Sequence, residues 1–312
     1  MRTDEATKLA ENRQRGGFTK LARKERARRA SNPKRDGILA SRSVWQVLRE
    51  GRMLLKGQRA IVTGGGRGIG RAIALRFAQE GAGVLVAART AEEVDAVAGE
   101  IRAAGGRAAS IAADVAHPAG CERIYQAAIE QFGDLDILVN NAGVLGPVAP
   151  VHSIAPEEWD AVFAANLKSA YLLSRLAVPR MLERGRGVIL NMSSVAAKMA
   201  FGLNSAYAAS KAGLLALTRT LAAETSRQGL RVNALCPGPV PATRMSREIG
   251  EGLSRMFGAE PSAILESFLK NVLQGRGQTE EEIAAAALFL CSEQASAITG
   301  QALNVDGGIA YF

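Results

Sequence analysis

Long apolar runs are missing from this sequence. No stretch approaches the roughly 20 apolar residues that a membrane-crossing helix needs, and the N-terminus lacks the charged, apolar, small order of a secretory signal. A protein of the cytoplasm without membrane contact is the expectation. Cysteine is scarce: Cys121, Cys236 and Cys291 are odd in number, far apart and outside any C-x-x-C pair, so neither a disulfide framework nor a zinc site is indicated. They read as small buried apolar residues. Histidine is scarcer still, and His117 and His152 have no ligand-spaced neighbours, which removes both as metal or catalytic candidates.

Basic charge is present but uneven. The formal net charge is +9, yet residues 1–56 hold 16 Lys/Arg against 6 Asp/Glu while the remainder holds 23 against 24. A neutral body offers no face to a phosphate backbone, so no nucleic-acid partner is expected for it. The basic stretch around Leu21 to Arg35 reads as part of a solvated, disordered extension over residues 1–52.

From Lys56 onward, short runs rich in Val, Ile and Leu alternate with longer amphipathic stretches. That rhythm predicts parallel strands at Arg59–Thr63, Gly83–Ala88, Ala108–Ala113, Leu135–Asn140, Gly187–Met192, Arg231–Leu235 and Ala302–Val305. Helices are predicted at Ile69–Glu80, Ala91–Ala104, Pro118–Phe132, Trp159–Arg184, Ala206–Arg227 and Glu280–Ser292. The fold class is α/β: one doubly wound, Rossmann-type domain with a seven-stranded parallel sheet and helices on both faces. Only Pro237 to Gly277 breaks the rhythm, with a pair of short amphipathic segments at the carboxyl end of a strand, where ligands of such sheets bind. The part from about 239 to 276 is read as a substrate lid.

Directly after the first strand comes Thr63-Gly64-Gly65-Gly66-Arg67-Gly68-Ile69-Gly70, followed by a helical pattern. Glycines let the backbone turn sharply and approach a pyrophosphate, and the helix N-terminus offers unpaired N–H groups. Strand before and helix after make this a dinucleotide cradle rather than a loose turn. The second strand ends Ala87-Ala88-Arg89, without the carboxylate that would grip a ribose 2′-hydroxyl. Arg89, with Arg67 from the glycine loop, suits a 2′-phosphate, so NADP(H) is favoured over NAD(H).

Tyr207 and Lys211 stand four apart at the start of a helical pattern, which places phenol and ammonium on one face. A cation within a few ångströms favours phenolate and makes the tyrosine an acid–base group. Upstream, Ser193-Ser194 follows a buried strand and can present a hydroxyl to a reacting oxygen. Asn166 lies inside the pattern Trp159–Arg184, an unusual place for a short amide.

Taken together, these features resemble the short-chain dehydrogenase/reductase family over Met53–Phe312. The family's glycine motif falls on Gly64, Gly68 and Gly70, its Asn-Asn-Ala-Gly segment on Asn140 to Gly143, and its Pro-Gly turn on Pro237-Gly238. The resemblance implies a catalytic tetrad of Asn166, Ser194, Tyr207 and Lys211, with Ser193 a bland neighbour. It also implies that Asp114 and Val115 lie near adenine, that Asn141, Ala142 and Gly143 border the adenine ribose and nicotinamide, and that Thr243 lies beside the carboxamide. Lys211 is implied to hydrogen-bond the nicotinamide ribose, and Asn166 to hold a water linking the lysine to solvent.

The activity so implied is hydride transfer between NADP(H) and a small-molecule carbonyl or secondary alcohol, with a homotetramer as the assembly. Reduction of a 3-oxoacyl thioester is the first expectation for the substrate, and a sugar, polyol or hydroxy-acid dehydrogenase the second. Met245, Leu253, Met256, Phe257, Ile264, Leu265, Phe268 and Leu269 give the lid apolar material, and Arg244 and Arg247 read better as a solvated face than as an anion site. A cofactor-binding regulatory protein with a basic interaction tail is the rival of another class, disfavoured by the intact tetrad. Met53-Leu54-Leu55-Lys56-Gly57 matches an ordinary start for the family. Residues upstream stay open between an over-extended translation start, a solvated tail, an organelle address and a nucleic-acid or membrane-surface arm.

Overall fold

The computed structural model describes residues 53–310, and the predicted N-terminal extension falls outside them. Seven parallel strands run β1 Arg59–Thr63, β2 Gly83–Ala88, β3 Arg107–Ala112, β4 Ile137–Asn140, β5 Gly187–Met192, β6 Leu230–Pro237 and β7 Ala302–Val305. Their order in the sheet is β3-β2-β1-β4-β5-β6-β7. Around them lie α1 Gly68–Gln79, α2 Ala91–Ala103, α3 Pro118–Phe132, α4 Pro156–Phe163, α5 Ser169–Glu183, α6 Ser205–Thr225, α7 Arg244–Phe257, α8 Pro261–Leu269 and α9 Glu280–Cys291.

Strand side chains alternate between two cores, which is why the strands show no polar face in the sequence. Val62, Val84, Val86, Val139 and Leu190 join Ile73 and Phe77 of α1, Val94 of α2 and Ile283 of α9. Ile61, Leu85, Leu138, Ile189 and Val232 point the other way, onto Ile124 of α3, Leu173 and Met181 of α5 and Leu221 of α6. Helices on both faces bury the inner strands twice, and the hydrophobic effect of that double burial holds the sheet.

The strand order reverses between β1 and β4, so the loops after these two strands diverge and leave a crevice at their carboxyl ends. The amino ends of the central strands are clamped by charge. Asp136 receives Arg59 at 2.6 Å and Arg184 at 2.6 Å, and Asp134 receives Arg180 at 2.8 Å and Arg184. Despite burial, the guanidinium hydrogen bonds hold the carboxyls of Asp134 and Asp136 below their ordinary range.

The strands fall within two residues of prediction at each end, with β6 extended to Pro237. One helix departs from expectation. Trp159–Arg184 was predicted as a single continuous helix, but it starts at Pro156 and is interrupted at Ala164–Lys168 by a π-helical turn. The extra residue accommodated in that turn rotates Asn166 inward, where it is 1% exposed. The two segments expected between Pro237 and Gly277 are α7 and α8. Among the described residues no helix is long and apolar enough to cross a membrane. All three cysteines are free and buried.

Candidate active site

A cavity of about 1640 Å³ opens at the carboxyl ends of the strands. Its walls include the glycine loop, Arg89, Asp114 and Val115, Asn141 to Gly143, Ser194, Tyr207, Lys211, Pro237-Gly238 and Thr243. Residues spread over 180 positions of sequence therefore share one space, and α7 with α8 covers part of it through Met245, Leu253, Phe257, Ile264, Leu265 and Phe268.

The glycine loop is built for close approach. A Cβ on Gly70 would strike the carbonyl oxygen of Gly64 and stand 2.5 Å from Nδ2 of Asn141. Gly64 and Gly68 turn the chain at φ of 62° and 58°, where other residues are strained. Thr63 ties the loop to the strand beyond the crevice: its hydroxyl donates to Val139 O at 3.2 Å and accepts the N–H groups of Asn141 and Ala142, each at 3.0 Å. Asn141 returns the contact, donating to Thr63 O at 2.8 Å. The start of α1 is thus held with its free N–H groups toward the cavity, and the residues fit the pyrophosphate of a dinucleotide.

The two predicted arginines differ in their surroundings. Arg89 is exposed at the cavity wall. Arg67, expected to pair with a cofactor phosphate, instead meets Glu93 of α2 at 2.7 Å. The end of β2 carries no carboxylate; this one comes from the first turn of the following helix.

At the other end of the cavity, α6 presents Tyr207 and Lys211 on one face, as their spacing predicts. Lys211 Nζ donates to Met192 O at 2.7 Å and lies 5.6 Å from the Tyr207 ring centroid. Ser193 Oγ donates to Lys211 O at 2.9 Å, so the residue expected to be bland fixes α6 against the end of β5. Ser194 Oγ accepts Ala196 N–H at 3.1 Å, and its hydroxyl lies beside the Tyr207 phenol. Asn166 is fully occupied by protein: Oδ1 accepts Val144 N–H at 2.7 Å, and Nδ2 donates to Val144 O at 2.9 Å and to Ser210 Oγ at 3.0 Å. Ser210 in turn donates to Tyr207 O at 2.7 Å. This network carries Asn166 to the tyrosine's own backbone, a contact that spacing alone did not reveal. Gly143 closes the group, since a Cβ there would stand 3.1 Å from Asn166 Oδ1 and 3.3 Å from Lys211 Nζ.

Electrostatics reverses one expectation. The spacing predicts that Lys211 acidifies Tyr207, but burial pushes the phenol up, only partly offset by the Ser194 hydrogen bond. The ammonium is spent on the Met192 carbonyl and is itself desolvated, which lowers Lys211 to about 8. At neutral pH the site therefore holds a protonated phenol beside a cation.

The chain is similar over most of its length to known proteins. The family described as enoyl-(acyl carrier protein) reductase matches residues 64–310. An uncharacterised oxidoreductase of Thermotoga maritima is 39% identical over 82% of this chain and 98% of its own length. The 3-oxoacyl-(acyl-carrier-protein) reductase of the same organism is 34% identical over 82% of this chain and 99% of its own. Among solved structures, a variant of actinorhodin polyketide ketoreductase with NADPH superimposes with a TM-score of 0.78 at 35% identity, over 82% of this chain and 98% of that one.

Proposed function

The chain belongs to the short-chain dehydrogenase/reductase family, and from that premise we propose that it reduces the ketone of a 3-oxoacyl thioester with NADPH, Tyr207 giving the proton. The observation that carries this reading is the convergence of Ser194, Tyr207 and Lys211 in the cavity that the glycine loop and the apolar residues of α7 and α8 also line. A phenol that holds its proton at neutral pH can give it to an oxygen that gains negative charge.

When bound, the nicotinamide supplies the hydride. The chain's own residues do the rest. Ser194 gives its proton as a hydrogen bond to the substrate carbonyl oxygen, while Ala196 N–H fixes the serine. Tyr207 transfers its proton to that oxygen as the alkoxide develops. Lys211 opposes the negative charge left on the phenol and keeps its position through Met192 O. Asn166 positions Tyr207 and Lys211 by locking Val144 and Ser210. Gly64, Arg67, Gly68, Ile69 and Gly70 hold the pyrophosphate end, and Arg67 with Arg89 the 2′-phosphate. Asp114 and Val115 take the adenine end, Asn141 to Gly143 the ribose, and Pro237, Gly238 and Thr243 the carboxamide.

The apolar lid lining favours an acyl chain over a polyol, whose hydroxyls would lose water without partners there. The same reading makes the protein a cytoplasmic homotetramer joined through α4 to α6, where Tyr171 stands 49% exposed. Side-by-side kinetics with acetoacetyl thioesters and polyols, each with both nicotinamide cofactors, test the substrate. Turnover of thioesters at least about tenfold faster supports it, and faster turnover of polyols refutes it. Tyr207→Phe is expected to remove nearly all turnover and leave NADPH binding unchanged; substantial activity in that variant would end the role given to the tyrosine.

A further inference from the structure

Glu93 has no role in the proposed reaction, yet it holds Arg67, the residue assigned to the cofactor phosphate. Its Oε1 lies 2.7 Å from Arg67 Nη1. It is also pressed onto the glycine loop: a Cβ on Gly66 would stand 2.8 Å from Glu93 Cβ and 3.1 Å from its Oε2. Arg67, Arg89, Thr90 and Glu93 all line the cavity that includes Gly64 and Gly68. The side chains of the pair are 49% and 31% exposed, so its contribution to folding is small. The helix dipole favours an acid in the first turn of α2, but it does not account for the reach to the arginine of another loop.

We infer that Glu93 is a cofactor-discriminating residue: its carboxylate holds Arg67 and tempers the bias toward a 2′-phosphate that Arg67 and Arg89 would otherwise set. The inference rests on the assignment of those arginines to the phosphate. A 2′-phosphate reaching Arg67 must either take the guanidinium away from Glu93 or accept a like charge at close range. NADH meets neither cost, because its 2′-hydroxyl is neutral and can donate to a carboxylate. The site thereby stays open to both cofactors.

Fluorescence titration of the full chain with NADPH and with NADH, without substrate, measures the effect as a ratio of dissociation constants. Glu93→Gln keeps the size and removes the charge. It is expected to tighten NADPH about tenfold and leave NADH within about threefold or weaker, since a unit charge a few ångströms away in partly solvated surroundings is of that order. High salt should shrink the difference. Arg67→Gln should move the ratio the opposite way, weakening NADPH more than NADH. A Glu93→Gln ratio within about twofold of the parent, with both nucleotides bound, overturns the inference and leaves the family reading intact. Failure of the parent chain to bind either nucleotide overturns the cofactor reading beneath it.

Discussion

Replacing Gly70 by alanine adds one methyl group at the tightest point of the cradle. That methyl would strike Gly64 O, stand 2.8 Å from the Gly64 carbonyl carbon and 2.5 Å from Asn141 Nδ2. Carbon contacts are comfortable at about 3.5–4.0 Å, so the turn must open by roughly an ångström. Neither neighbour can yield cheaply. One is backbone, and the other is an amide already donating to Thr63 O at 2.8 Å. Overpacking of this kind costs about 3 kcal/mol, which lowers Tm by about 6–12 °C in a domain of this size. Opening the turn also draws the N–H groups away from the pyrophosphate, and NADPH affinity is expected to fall at least about tenfold, or 1.4 kcal/mol. The same substitution at Gly99, inside α2, meets nothing within 4 Å. There alanine should stabilise by about 0.5–1 kcal/mol through backbone entropy alone, raising Tm by about 1–4 °C. Calorimetric unfolding of both variants, with nucleotide titration, reads the two signs together. If they melted at the same temperature and bound NADPH equally, contact of α1 with Gly64 and Asn141 would not be what requires glycine, and the account of the cradle would fail.

Two further tests use charge. Burial lowers Lys211 to about 8, so its cation is present below that value and lost as pH rises through it. The rate of carbonyl reduction should therefore fall above about pH 8, and Lys211→Arg should delay the fall to higher pH; a profile flat to pH 10 in the parent would exclude the cation from the proton-transfer step. At the amino ends of the central strands, Asp136→Asn leaves Arg59 and Arg184 with Asp134 as their one carboxylate and is expected to cost up to about 3 kcal/mol at pH 7, read by denaturant unfolding. Because the folded-state value of Asp136 lies below its unfolded one, its stabilisation is present above the unfolded value near 4 and is lost as pH falls through the folded one. The gap between parent and variant should close in acid, and a gap that persisted unchanged at pH 2 would point to packing instead of charge.

Much of the protein was legible before folding. Periodicity in Val, Ile and Leu gave the seven strands because burial on both faces erases polar alternation, and a parallel sheet then needs a helix in each crossover. Gly64, Gly68 and Gly70 announced the cradle because only their lack of a side chain tolerates the turn and the close carbonyl. Tyr207 and Lys211 declared their shared face because four residues make one helical turn.

Contacts between distant segments were not legible. Asn166 gave no sign that it would bond Val144 and Ser210, since a π-helical turn rotates it inward and nothing local demands that turn. Glu93 reached Arg67 across 26 residues, from a helix the sequence placed only as a crossover. The direction of the Tyr207 shift also depended on the third dimension. Spacing fixes how near a cation can be, but burial and the other partners of that cation determine how well water stabilises each charge, and those are set only when the strands, α6 and the lid have come together.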